Sequence, residues 1–159
     1  MDVLGKSEVR YIIVHHTQRT KDFPAYVKLR HVRVRGWEHI GYHFLIGRGR
    51  PFTREGKLYM GRPERYVGAH ALGYNHRSIG VCLIGDLDKR KPTKRQMDSL
   101  FSVLRDKMRE YGVPVENVLG HRELPGVAKS CPGKNLDMDF VRAVLAGKSV
   151  PVMLRRIGK

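Results

Sequence analysis

The sequence predicts an α/β fold: one domain built on a central mixed β-sheet flanked by helices. Three observations carry this. Residues 10–17 and 79–85 are short apolar, β-branched runs of the kind found in central strands. Residues 93–112 hold a capped stripe at helical spacing, and strand-like and helix-like segments interleave along the chain. At 159 residues and 41% hydrophobic content, the chain buries roughly two-thirds of its unfolded surface without disulfide staples.

In chain order, Arg10-Tyr11-Ile12-Ile13-Val14-His15-His16-Thr17 is the first strand. Side chains alternate faces along a strand, so His15 and His16 cannot both reach one site. Ala25 to about Arg35 is a basic helix candidate, with His31 and His39 expected at the surface or in caps. Gly41 to Gly47 is a second strand, leading through a glycine-rich turn to a hairpin partner near Leu58-Tyr59-Met60. Gly68 to His76 is a glycine-punctuated loop with polar and aromatic side chains, suited to wall a binding site. The following apolar strand holds Cys82 as a core residue.

Thr93 and Gln96 form a capping box. Met97, Leu100, Phe101, Leu104, Met108 and Tyr111 then recur at helical spacing until Gly112 stops the helix. Asn117-Val118-Leu119 is a short strand, and a last helix runs near Asp139 to Ala146. Gly147 ends it. A basic tail, 148–159, follows, its apolar residues interleaved with Lys148, Arg155, Arg156 and Lys159.

The 31 Lys and Arg against 15 Asp and Glu give a formal charge of +16. Such an excess implies a polyanionic partner: nucleic acid, an anionic membrane or an anionic cell envelope. No zinc-finger spacing or RNA-recognition signature favours nucleic acid. No apolar run approaches the ~20 residues of a membrane span, and the first residues carry no signal-peptide pattern. The chain therefore reads as made in the cytoplasm, in a reducing compartment, with Cys82 and Cys131 unpaired.

The segment from Gly120 to Gly133 places His121 and Cys131 ten residues apart in a turn-rich stretch. A loop that doubles back brings both side chains to one point. With His15 or His16 from the first strand, three protein ligands suit zinc and leave its fourth position open, the pattern of a catalytic site.

Several segments carry a family resemblance: Ile12-Ile13-Val14-His15-His16-Thr17, Gly41-Tyr42-His43-Phe44, Val67-Gly68-Ala69-His70, and Asn75 to Gly85. Gly120-His121-Arg122-Glu123 and Lys129-Ser130-Cys131-Pro132 complete the set. In this order they resemble the zinc-dependent N-acetylmuramoyl-L-alanine amidases of the type-2 amidase and peptidoglycan recognition protein superfamily, above all phage lysozymes with amidase activity. The resemblance implies a single amidase domain over 1–159, its core about 9–147, with the zinc site in a surface groove. It implies one zinc ion on His15, His121 and Cys131, with Tyr42 and Lys129 assisting catalysis beside it. His70 and Asn75 become candidates for lining the substrate groove. Binding-only members of the superfamily typically lack the cysteine, so Cys131 favours an active enzyme.

The implied reaction is hydrolysis of the amide between N-acetylmuramic acid and L-alanine in peptidoglycan, by a phage endolysin that reaches the wall after release from the host cytoplasm. Zinc supplies the nucleophile at neutral pH and polarises the carbonyl. Lys129 and the Tyr42 phenol would stabilise the oxyanion or relay a proton. Two other classes fit the same composition: a basic regulator that binds nucleic acid or a polymerase, and a cytoplasmic amidase that recycles soluble muropeptides. Loss of turbidity of purified walls, with and without a chelator, separates them.

Overall fold

The computed structural model describes residues 1–148. Five strands form one sheet: β1 (Tyr11–His16), β2 (Phe44–Ile46), β3 (Leu58–Met60), β4 (Ser78–Leu83) and β5 (Val118–Gly120). Their spatial order is β3-β2-β4-β1-β5. β1 runs parallel to both β4 and β5, β2 runs parallel to β4, and β3 closes the edge antiparallel to β2. The mixed sheet expected from the sequence is borne out.

Helix α1 (Pro24–Leu29) continues into a π turn (Arg30–Val34), and the longer helices are α2 (Lys94–Tyr111) and α3 (Met138–Leu145). The capping box of α2 is present: Thr93 Oγ1 accepts from the Gln96 N–H at 3.1 Å, and Gln96 Oε1 accepts from the Thr93 N–H at 3.2 Å. Gly112 ends the helix at φ +67°, a left-handed value that a residue with a Cβ adopts only at a cost.

Alternation along the central strands sorts the molecule into two faces. Ile12, Val14, Phe44, Ile46, Ile79, Val81 and Leu83 pack with Leu100, Val103 and Leu104 of α2 and Val141 of α3. Each such side chain contributes roughly 1.5–3 kcal/mol by leaving water. On the opposite face Leu45, Cys82 and Ile84 pack with Val27 of α1, and Ile13 packs with Ala71 and Leu124. That second face carries His15.

Two expectations change. The second strand covers only Phe44–Ile46 rather than Gly41–Gly47. Gly41 and His43 already have non-local backbone partners, Ala69 N–H donating to Gly41 O and His43 N–H to Gly80 O. His31 is not at the surface. It is buried, and its Nδ1 accepts the Gly41 N–H at 3.0 Å, tying the π turn to the start of the strand region. His39 is half-buried. The expectations about the basic tail lie, beyond Lys148, outside the described residues.

Candidate metal centre and groove

The site lies where β1 and β5 end. His15 is buried near the C-terminal end of β1, and His121 opens the short turn that follows β5. Their ring centroids are 4.7 Å apart. Cys131 arrives from the loop that returns past β1, its Sγ 3.6 Å from His15 Nδ1. One donor atom from each of His15, His121 and Cys131 lies within 4.8 Å of the others. A tetrahedral ion with metal–sulfur and metal–nitrogen bonds of about 2.3 and about 2.0 Å separates those ligands by about 3.5 Å. The observed 3.6 Å fits a shared ion.

The second nitrogen of His15 is also engaged: Nε2 lies 3.0 Å from His70 Nδ1. With Nδ1 bound to an ion there, His15 would carry its proton on Nε2 and direct that N–H at His70 Nδ1. The contact would then fix the tautomer, as ligating histidines generally require. Burial, with His70 and His121 alongside, holds His15 well below the usual histidine range, so the ring is neutral and its lone pair available. His70 itself fits against Gly68 and Gly80. A Cβ on Gly80 would stand 2.6 Å from His70 Cδ2, which leaves no room for a side chain there.

Two residues not singled out from the sequence hold the cysteine loop. Arg122 uses its backbone N–H for Cys131 O at 2.6 Å, and its guanidinium donates to the carbonyls of Ser130, Gly133 and Leu136. Asp88 accepts from Ser130 Oγ at 2.7 Å and from the Lys134 N–H at 3.0 Å. The loop is pinned on both sides of Cys131. On the other ligand, Glu123 accepts the Gly120 N–H and a bidentate pair of bonds from Arg142 of α3, which anchors the His121 turn. Only position within the quoted Gly120-His121-Arg122-Glu123 segment hinted at Arg122. Asp88 had no sequence signal.

His16, on the other face of β1, gathers with Asp86 and Asp88 into a second set of possible metal donors. Its Nδ1 accepts the Leu87 N–H at 3.1 Å, so the neutral ring keeps its proton on Nε2 and has no lone pair left there for an ion. This cluster braces the loop rather than offering a second centre.

The remaining predicted residues border the same depression. A pit of about 150 Å³ is lined by His15, Tyr42, His70, His121, Lys129 and Cys131. It opens into a groove of about 640 Å³ walled by Arg35, Trp37, Leu72, Asn75 and Lys129. A wider concavity of about 710 Å³ beside α2 holds none of the three ligands. The Tyr42 ring centroid is 5.1 Å from that of His15. Burial raises the Tyr42 phenol well above its usual range, keeping it protonated as a donor. Lys129 is exposed, and its charge adds to burial in lowering the pKa of His121. Burial pushes the Cys131 thiol up to about 11, opposed by the His16 backbone N–H, Lys129 and Arg122. Asn75 Oδ1 accepts the backbone N–H groups of His70 and Ala71, both at 2.8 Å, so only its amide nitrogen remains for a ligand. His70 touches the groove while its Nδ1 is spent on His15.

Residues 5–134 match the family described as N-acetylmuramoyl-L-alanine amidase. The chain belongs to that family. It is 40% identical over 109 residues to the endolysin of Escherichia phage T7, an alignment covering 65% of this chain and 66% of that protein. The chain thus spans just under two thirds of the phage T7 relative's length. The endolysin of Klebsiella phage KP32 is 34% identical over 142 residues, covering 82% of this chain and 85% of the relative. Among solved structures, the N-acetylmuramoyl-L-alanine amidase LysC from Clostridium intestinale URNW superposes with a TM-score of 0.78 at 30% identity. That superposition covers 92% of this chain and 93% of the other. The fold as a whole is therefore that of a known amidase structure.

Proposed function

We propose that this chain is a zinc-dependent N-acetylmuramoyl-L-alanine amidase that acts on bacterial peptidoglycan as a phage-type endolysin. The observation that carries the reading is the His15–His121–Cys131 cluster at the floor of a groove, in a chain related to endolysins and amidases. Two imidazoles and a thiol suit zinc, and the pit leaves one side of the cluster open to substrate. A zinc ion held there supplies Lewis-acid polarisation of the scissile carbonyl and a nucleophile at neutral pH.

The residues of the chain do the rest. His70 keeps the His15 lone pair aimed at the metal position. Arg122 and Asp88 set the height of Cys131. The protonated Tyr42 phenol and the Lys129 ammonium belong to residues that line the pit, and in this reading they stabilise negative charge developing on the carbonyl oxygen. Arg35 and Trp37 offer the groove a cation and an apolar ring, suited to a carboxylate-bearing peptide on a sugar chain.

Digestion of purified sacculi, followed by mass spectrometry, tests the reading. The expected products are peptide-free glycan strands and stem peptides with a new L-alanine amino terminus. A chelator should stop their release, and added zinc should restore it. New reducing sugar ends in their place, or no release of either product, would overturn the assignment.

A further inference from the structure

The segment that leads into the groove carries a surface of its own. From Phe23 to Trp37 the chain contains Lys28, Arg30, Arg33 and Arg35 and no Asp or Glu. Arg30 is spent on the buried Asp22, with two bonds of 2.8 Å, while Lys28 and Arg33 are exposed. Among these cations stand apolar side chains that the fold does not cover. Tyr26 is 47% exposed, Leu29 51% and Val34 78%; beyond the helix, Phe52 is 42% exposed.

These side chains form one face. Tyr26 and Leu29 are three residues apart on α1 and share a side of the helix. The π turn bonds Arg35 N–H to Arg30 O, five residues back, and this wider winding returns Val34 towards the side of Leu29. Phe23 stacks on Tyr26 at 5.7 Å and lies nearly parallel to Phe52 at 6.2 Å, which joins the tip of the 47–57 loop to the helix. Tyr26 also lines a concavity with Arg19, Lys21 and Lys89, whose two carboxylates are already engaged, Asp86 with Lys89 and Asp22 with Arg30.

Leu29 and Val34 decide the partner. A nucleic acid offers phosphates to the cations and bases to aromatic rings, but it gives exposed aliphatic side chains little. An anionic bilayer offers both an apolar boundary and phosphates at the right depth, and a short helix with exposed apolar and basic residues lies in that boundary. We propose that α1, the π turn and the Phe52 tip form a face that docks on an anionic phospholipid bilayer. Tyr26, Leu29, Val34 and Phe52 enter the headgroup–acyl boundary, and Lys21, Lys28 and Arg33 pair with lipid phosphates. Arg35 and Trp37 follow directly and border the groove, so docking sets the groove mouth beside the membrane surface. The docking does not depend on the hydrolytic reading.

The test is flotation of the full chain with vesicles of phosphatidylglycerol and phosphatidylethanolamine, against phosphatidylcholine alone. Trp37, the single tryptophan, gives a second readout through its emission. Binding is expected on anionic vesicles only, weakening as salt rises. Leu29→Ser with Phe52→Ser should weaken vesicle affinity by about tenfold, and Lys28→Glu with Arg33→Glu should remove it. Both double variants should keep the wild-type melting temperature and rate on a soluble muropeptide. Tyr26→Ser replaces Leu29→Ser if that substitution lowers the melting temperature. Failure to bind anionic vesicles, or equal binding by the variants, overturns the proposal. Charge-dependent capture of duplex DNA with vesicles ignored overturns it too, and would make the face a nucleic-acid surface.

Discussion

His70 Nδ1 lies 3.0 Å from His15 Nε2, so the ring that faces the metal position is held from behind by a second ring. The contact predicts that His70→Ala leaves the three ligands in place yet weakens zinc binding by about 10–100-fold. Competition with a chromogenic chelator measures this. Unchanged zinc affinity in a folded His70→Ala protein would assign His70 to the groove wall alone.

Cys131→Ser should lose most bound zinc and all hydrolysis while keeping its circular dichroism. His16→Ala is the control, because His16 Nδ1 is bonded to Leu87 on the other face of β1. It should keep the metal while losing about 1 kcal/mol of stability with that hydrogen bond. Metal analysis by mass spectrometry reads both. Zinc retained in Cys131→Ser would refute the ligand set.

Lys129→Ala and Tyr42→Phe should keep zinc and lower kcat, each by roughly 10²–10³-fold if its group stabilises the oxyanion. Steady-state kinetics on a soluble muropeptide is the check. An effect confined to KM would place both residues in substrate binding instead.

Arg122→Ala removes the donor shared by the Ser130, Gly133 and Leu136 carbonyls. The expected result is a lower melting temperature together with weaker zinc binding. Arg122→Lys should restore stability better than it restores the metal, since one ammonium cannot span three carbonyls. Equal recovery of both would leave Arg122 a purely structural brace.

Stability should fall with acid before the carboxylates titrate. His43 Nδ1 accepts the Gly80 N–H while Nε2–H donates to Tyr66 O, so the buried ring has no place for a second proton. Burial lowers its pKa to about 4, against the Tyr66 carbonyl and with help from Arg62. The unfolded ring titrates near 6.5. The contribution is therefore complete above about pH 6.5 and lost as pH falls towards 4, in total of order 3 kcal/mol. Burial sets His31 in the same direction. Urea midpoints of the chelated protein between about pH 7.5 and about pH 5 test this. A flat profile there would show that the rings accept protons without cost.

Much of this was legible in the residues. The β-branched run at Ile12-Ile13-Val14 and the Thr93–Gln96 box specified β1 and α2, because local pattern and tertiary role agree there. Alternation separated His15 from His16 without saying which one served the site. The family resemblance chose His15, and His15 is the one that sits with His121 and Cys131. His31 was misplaced because its burial comes from the partner it meets, the Gly41 N–H, ten residues away around a π turn that no periodicity announces. Asp88 was invisible for a similar reason. Its worth lies in Ser130 and Lys134, 42 and 46 residues distant, and nothing in its own neighbourhood records that.

The strand order has a consequence for the timing of metal capture. β1 is made early, yet its neighbours are β4 and β5, with Ile12 opposite Ile79 and Val118. His15 and Cys131 are 116 residues apart in sequence. Contacts of such long range form late, since the chain between them must first be ordered. During synthesis, His15 therefore waits in an unfinished sheet until β5 and the Cys131 loop have emerged and docked. A nascent chain that ends before His121 has only His15 and no cage, so metal uptake itself reports that β5 and the Cys131 loop have joined the sheet.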